Sequence, residues 1–154
     1  MTDYNKKLKD YMTQNSIAGE HLVFDISCHS VDEAATAAKA SPQDFVKNIC
    51  MIDTDRNLIV AIVKGEDHVS AKRVGKALGI DPPRIASSGE ILEKTGYPCG
   101  GVPSFGYQAQ FIIDPRVMEK EIVYTGGGSQ NSLVKVPAME LLRANSGKLA
   151  RIRR

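Results

Sequence analysis

Two apolar runs, residues 45–52 and 58–63, are separated only by Asp53-Thr54-Asp55-Arg56-Asn57. Each run is strand-length, and the residues between them are polar turn formers, so the segment reads as an antiparallel hairpin. Strand and helix signals flank it on both sides. Residues 4–15 place Leu8, Tyr11 and Met12 at helical spacing, and residues 21–26 read as a strand. Ser30, with Glu33 three positions on, caps a helix entering Ala34-Ala35-Thr36-Ala37-Ala38. A helix over residues 70–78 ends at Gly79, Asp81-Pro82-Pro83 stops the chain, and Ser87 with Glu90 caps a short helix through Lys94. Further strands are expected near 109–113, 121–124 and 133–136, with Gly126-Gly127-Gly128 interrupting them, and a last helix over about 137–144.

Short strands mixed with helices, two of them joined as a hairpin, predict an α+β (mixed α/β) fold and not a doubly wound parallel sheet. With 154 residues the chain is read as a single domain, 1–154, large enough to bury a core. At 42% apolar and 25% charged residues, collagen-like, coiled-coil and wholly disordered classes are excluded. The longest aliphatic run, residues 58–63, is too short to cross a bilayer, and no apolar secretion signal follows Met1, so a cytoplasmic location is expected. Cys28, Cys50 and Cys99 are too few and too scattered for a disulfide framework. The formal charge of +2 does not by itself indicate nucleic acid; the basic stretch 148–154 and the cluster Lys6, Lys7, Lys9 read as solvated, frayed termini.

The most unusual segment is Gly96-Tyr97-Pro98-Cys99-Gly100-Gly101-Val102-Pro103-Ser104-Phe105-Gly106, whose glycines and prolines exclude a regular element and suit a ligand loop. His21, His29, His68 and the cysteines lack CxxC or HxxxH spacing, so no metal is expected. No Gly-Lys-Ser/Thr or GxGxxG pattern points to a nucleotide cofactor, and none is expected. Cys50 lies in an apolar run and reads as core, whereas Cys99 in the glycine loop is the better candidate for a thiol nucleophile. Lys47 is a charge inside an otherwise apolar strand; its ammonium either reaches solvent or enters a cleft.

Several pieces resemble, in order and spacing, the YbaK/ProX family of trans-editing aminoacyl-tRNA deacylases, related to the editing domain of bacterial prolyl-tRNA synthetases. These are Ser-Val-Asp-Glu-Ala-Ala-Thr-Ala-Ala at 30–38, Phe45-Val46-Lys47-Asn48, Val63-Lys64-Gly65-Glu66, Ala71-Lys72-Arg73-Val74-Gly75-Lys76-Ala77-Leu78-Gly79, Thr95-Gly96-Tyr97, Gly100-Gly101-Val102-Pro103-Ser104-Phe105-Gly106, Asp114 and Gly126-Gly127-Gly128. The resemblance runs over about 30–142. It implies a curved, mixed, partly barrel-like sheet flanked by helices, and places the family's lysine on Lys47 and its substrate loop on Gly100 to Gly106. Two departures stand out: Ser104 occupies a position where several members have proline, and Ser129-Gln130-Asn131-Ser132-Leu133 lacks the aspartate of some cysteinyl-specific members.

The implied activity is hydrolysis of mischarged tRNA in trans, removing a small amino acid such as Cys, Ala or Ser, with tRNA-Pro as one carrier. Aminoacyl-tRNA is the expected partner, and an aminoacyl-tRNA synthetase a second. Such an ester needs positioning and carbonyl polarisation more than a strong nucleophile. Lys47 is expected to hold a phosphate or ribose oxygen of the terminal adenosine, and the Gly100 and Gly101 amides the oxyanion. Asn48, Val102, Pro103, Ser104, Phe105, Thr125, Gly126 and Gly127 are expected around the substrate, with Ser129 and Ser132 as further polar candidates. Lys64, Lys72, Arg73 and Lys76 offer phosphate contacts. The competing reading is a non-catalytic module that binds tRNA or a synthetase in the same cleft.

Overall fold

The computed structural model describes residues 2–154. Helix α1 (Tyr4–Gln14) starts at Asp3, whose carboxylate accepts from the Lys6 amide, and it buries Leu8 and Met12. Strand β1 (Glu20–Val23) follows, shorter than expected, because Phe24 and Cys28 bond instead to the carbonyls of Asn131 and Gln130. Ser30 caps α2 (Val31–Ala38) through the Glu33 amide, as its spacing predicts. Strands β2 (Val46–Ile52) and β3 (Leu58–Lys64) form the predicted antiparallel hairpin, with Ile52 opposite Leu58 and Val46 opposite Lys64.

Helix α3 (Ala71–Leu78) is capped by Ser70 and closed by Gly79 in the left-handed region. A two-residue strand, β4 (Arg84–Ile85), follows the Pro82-Pro83 stop, where none is expected from the sequence. Helix α4 (Ser88–Thr95) opens with a capping box between Ser87 and Glu90. Then come β5 (Gln110–Ile113), β6 (Ile122–Gly126), β7 (Ser132–Pro137), α5 (Ala138–Asn145) and β8 (Lys148–Leu149).

The strands form two sheets, β1-β7-β6 and β4-β2-β3-β5-β8, mixed because β5 runs parallel to both β3 and β8. They meet at a single parallel bridge between Phe45 and Tyr124, whose rings stack with centroids 4.9 Å apart. The result is a curved α+β domain that is not a closed barrel. All seven residues of β3 are buried, and each large aliphatic side chain removed from water there contributes about 1.5–3 kcal/mol. Alternation along β2 sends Val46, Cys50 and Ile52 to the core shared with Leu8 and Phe105, and Met51 to a second core under Val74 of α3.

The basic C-terminus is docked, correcting the expectation of a frayed tail. Asp114 is fully buried, and its carboxylate accepts from the amides of Ile152, Arg153 and Arg116 and from the Arg153 guanidinium at 2.7 Å. Burial opposes this charge, but those donors outweigh it and hold the carboxyl below its usual range. The N-terminal lysines are also engaged: Lys7 donates to the Gly96 carbonyl and lies 4.5 Å over the Tyr97 ring. Lys64 is 8% exposed and paired with Glu66 at 3.1 Å, so it is not free to meet a phosphate.

Candidate functional site

Between the outer edge of β2 and residues 99–102 lies a cavity of about 210 Å³. Val46, Lys47, Asn48, Ile49 and Cys50 form one wall, Cys99, Gly100 and Val102 another, with His29, Val31, Ile91 and Gly126 completing it. Lys47 and Gly100, far apart in sequence, therefore share one hollow. Of the other expected site residues, Asn48, Val102 and Gly126 reach it. Gly101, Pro103, Ser104, Phe105, Thr125 and Gly127 sit behind its walls; Phe105 is core, stacked on Tyr11 with centroids 6.3 Å apart.

The glycine loop is fixed by its carbonyls. Gln130 Nε2 donates to Cys99 O at 3.1 Å, the Gly128 amide to Gly101 O at 2.8 Å, and Asn48 Nδ2 to Val102 O at 3.0 Å. Tyr107 Oη donates to Pro103 O at 2.7 Å and Asn145 Nδ2 to Ser104 O at 2.9 Å. Five loop carbonyls are held in this way, and the Gly100 N–H, without a partner among the described residues, is among the donors that the loop can offer. The Gly101 amide is not one of them, because it donates to Pro98 O at 3.0 Å and closes a turn. This corrects its expected place beside Gly100 as an oxyanion donor. Gly100 holds φ +90°, and a Cβ there would overlap the His29 ring. A Cβ on Gly126 would overlap the Val102 carbonyl oxygen, so the second glycine cluster lets β6 press against this loop.

Asn48, Ser104 and Thr125 form a closed ring behind the wall. Asn48 Nδ2 donates to Thr125 Oγ1 at 2.9 Å, and Ser104 Oγ donates to Asn48 Oδ1 at 2.6 Å. With Ser104's proton so committed, Thr125 Oγ1 donates to Ser104 Oγ across their 2.7 Å contact. Asn48's second amide proton goes to Val102 O, which leaves its carboxamide fully satisfied. These three side chains bond one another, and Asn48 also holds the Val102 carbonyl. The hydroxyl of Ser104, at a place where proline is frequent in the resembled family, is structural here. Ser129 and Ser132 are similarly occupied, bonded to each other at 2.8 Å.

Lys47 is half-buried, and among the described residues no hydrogen-bond acceptor or ion-pair partner meets its ammonium. Burial pulls its pKa below the ordinary lysine value, and the field of Asp67 offsets part of that fall. Cys50 is buried, which pushes its thiol up to about 12 and keeps it protonated at neutral pH. Cys99 lines the cavity as well. Sequence reasoning does not place His29, Ile49 or Ile91 at the site; the Cys28-His29 pair just ahead of the Ser30 cap is the available signal for His29. Among the described residues no three His, Cys, Asp or Glu side chains gather as a metal site, and no helix is long and apolar enough to cross a membrane.

A small cavity lined by Lys47, the outer edge of β2 and the glycine loop thus sits in a curved α+β domain. The chain belongs to the aminoacyl-tRNA editing domain family, whose model matches residues 26–144. It is 24% identical over 94% of its length to the uncharacterized protein YwhH of Bacillus subtilis (strain 168), covering 92% of that protein. It is 30% identical over 77 residues to a proline–tRNA ligase of Lactobacillus gasseri, covering 50% of this chain and 14% of that enzyme. A crystal structure of a candidate trans-editing enzyme for prolyl tRNA synthetase superposes with a TM-score of 0.91 at 20% identity, covering 100% of this chain and 99% of that one, a likeness of fold.

Proposed function

We propose that this protein is an aminoacyl-tRNA deacylase that acts in trans in the cytoplasm, hydrolysing the ester of a tRNA mischarged with a small amino acid. Cys, Ala and Ser are the candidate residues, and tRNA-Pro is a candidate carrier. The observation that carries this reading is the shared cavity of Lys47 and Gly100. At about 210 Å³ it is smaller than the roughly 300–1,000 Å³ of pockets that enclose drug-sized ligands, a size that suits a small amino acid.

In this reading Lys47 holds a phosphate or ribose oxygen of the terminal adenosine and so orients the ester. The Gly100 amide, in a loop whose carbonyls are tied back, faces the carbonyl oxygen as negative charge develops there. Water attacks the carbonyl carbon, the ester C–O bond breaks, and the ribose oxygen leaves with a proton. With cysteine as the acyl group, its own thiol is the alternative attacking group. The exposed Lys72, Arg73 and Lys76 of α3 add contacts to the acceptor stem, and a synthetase is a further partner.

The test is release of amino acid from purified tRNAs carrying Cys, Ala, Ser or Pro, with Lys47→Ala and Lys47→Arg in parallel. Release above spontaneous hydrolysis that collapses in Lys47→Ala supports the proposal. No release from any of the four assigns the cleft to a binding module instead.

A further inference from the structure

The cavity wall contributed by β2 is an unfilled strand edge, and its main chain has a defined direction. The Gly65 amide donates to Phe45 O at 2.7 Å, so Phe45 turns its main-chain groups toward β3. The Ala86 amide donates to Cys50 O at 2.9 Å, so Cys50 turns outward, toward β4. Ile62, opposite Asn48 in the register, accepts from the Asp114 amide at 2.9 Å on the far side of β3. In an antiparallel pair, residues two apart point their N–H and C=O the same way. All three observations therefore direct the main chain of Asn48 outward, into the cavity that it lines.

That edge is closed on both sides. Its start meets β6 at the Phe45 and Tyr124 bridge, and its end meets β4 at Met51 and Ile52. Between them, among the described residues, no strand pairs with Asn48 on its outer side. In the gap, residues 46–50, Asn48 is the central outward-facing residue, and its outer side faces the Gly100 loop instead of a neighbouring strand. An exposed edge can pair with a backbone that reaches it, and a single outward-facing residue such as Asn48 offers one N–H and one C=O, enough to pair with one amino acid.

We propose that the aminoacyl group binds as a one-residue strand on Asn48, an inference that rests on the deacylase reading of the same cavity. The substrate's α-ammonium donates to Asn48 C=O, and its ester carbonyl accepts from Asn48 N–H, the reciprocal exchange of a hydrogen-bonded antiparallel pair. Asn48 N–H thereby becomes an oxyanion donor on one wall, with Gly100 N–H on the other. The side-chain ring of Asn48 with Ser104 and Thr125 acquires a purpose, because it locks the dihedrals that aim this main chain. A free α-amino group becomes part of what is recognised.

The test uses the intact 15N-labelled protein and a non-hydrolysable probe, 3′-deoxy-3′-(L-alanylamino)adenosine, beside its propionyl counterpart, which lacks the amine. We expect the Asn48 amide resonance to be among the largest shifts with the alanyl probe and the propionyl probe to bind at least tenfold more weakly. Alanyl-probe binding that shifts Gly100 and leaves Asn48 unmoved, or equal affinity for the two probes, overturns the strand-edge contact while the cavity assignment stands. Failure to bind either probe at millimolar concentration by a protein that still hydrolyses aminoacyl-tRNA also overturns it. Failure to bind and to hydrolyse removes the deacylase reading with it.

Discussion

Ser104 Oγ donates to Asn48 Oδ1 at 2.6 Å, and through Thr125 the same ring spans from β2 in one sheet to β6 in the other. All three side chains are at least partly buried, so a broken member leaves polar atoms with no water to replace it. Asn48→Ala removes the donor to Val102 O and the acceptor for Ser104 at once. The expected loss is about 2–4 kcal/mol, or roughly 5–15 °C in Tm by differential scanning calorimetry. Ser104→Ala, which strands only Asn48 Oδ1, costs about 1–2 kcal/mol. An Asn48→Ala protein as stable as the wild type shows that the ring does not hold the loop.

Lys47 places function against stability. Its ammonium is desolvated and unpaired, so replacing it with an uncharged side chain of similar length relieves that cost while removing the anion contact. Lys47→Met is expected to be more stable than wild type by about 0.5–1 kcal/mol and to lose about a hundredfold in deacylation kcat/KM, with Lys47→Arg intermediate. The pH dependence follows from the direction of the shift. A lysine whose pKa is lowered releases its proton below the ordinary value of 10.5, so affinity for a 3′-alanylamino-adenosine carrying a 5′-phosphate falls with rising pH earlier than a free lysine would dictate. In Lys47→Arg the part of that loss owed to the lysine disappears, and the part owed to the probe's own α-ammonium, which titrates at about pH 8, remains. Isothermal titration across pH 7 to 10 reads both outcomes.

What the sequence makes legible is local. Ser30 and Ser87 each cap a helix through the amide three residues on, a relation carried entirely within four residues. The hairpin of β2 and β3 follows from two apolar runs and a short polar turn. Strands β4 and β8 are two residues each and have no periodicity to read; tertiary contacts alone create them. The Asn48 ring joins positions 56 and 77 residues apart, and no spacing rule reaches that far. The resemblance indicates Lys47 and the glycine loop as parts of one site, but which loop amides remain free depends on turn geometry, so the engagement of Gly101 by Pro98 is out of reach.

Cys99 is the remaining nucleophile to test, since it lines the cavity while the Cys50 thiol is held up to about 12 by burial. A mechanism by water or by a substrate thiol leaves no task for it. Cys99→Ser is expected to retain at least half of the wild-type kcat/KM, and alkylation of the wild type with iodoacetamide to slow the reaction only by crowding the cavity. A Cys99→Ser protein reduced a thousandfold with unchanged Tm would make this a thiol-dependent hydrolase.

Asp114 fastens the C-terminal segment, and its replacement separates packing from charge. Asp114→Asn keeps the shape but loses the ionic bond to Arg153 and one acceptor for the Ile152 and Arg153 amides, at an expected cost of about 2–4 kcal/mol. The native pKa is below that of the unfolded chain, so this stabilisation is complete above about pH 5. It is lost as pH falls from about 4 through the native value. Hydrogen exchange should find the Ile152 and Arg153 amides protected at pH 6, opened at low pH, and already open in Asp114→Asn.

Docking of that segment also builds a basic face. Lys148 Nζ donates to Ala77 O at 2.7 Å, the Ser70 amide to Ile152 O at 2.7 Å, and the Arg154 amide to His68 O at 2.9 Å, so the segment lies along α3. Lys72, Arg73 and Lys76 thus join Lys148, Arg151 and Arg154, and among the described residues none of the six pairs with a carboxylate. Clustered unpaired cations bind phosphates in proportion to the counterions released. Lys72→Glu with Lys76→Glu is expected to raise KM for aminoacyl-tRNA about tenfold, leave kcat unchanged, and lower the slope of log KM against log salt by about 1 for each phosphate no longer neutralised. An aminoacyl-adenosine ester, too short to reach α3 through an acceptor stem, should be hydrolysed by the double variant as by the wild type. Equal KM values for full-length tRNA in the two proteins would place the acceptor stem on another face of the domain.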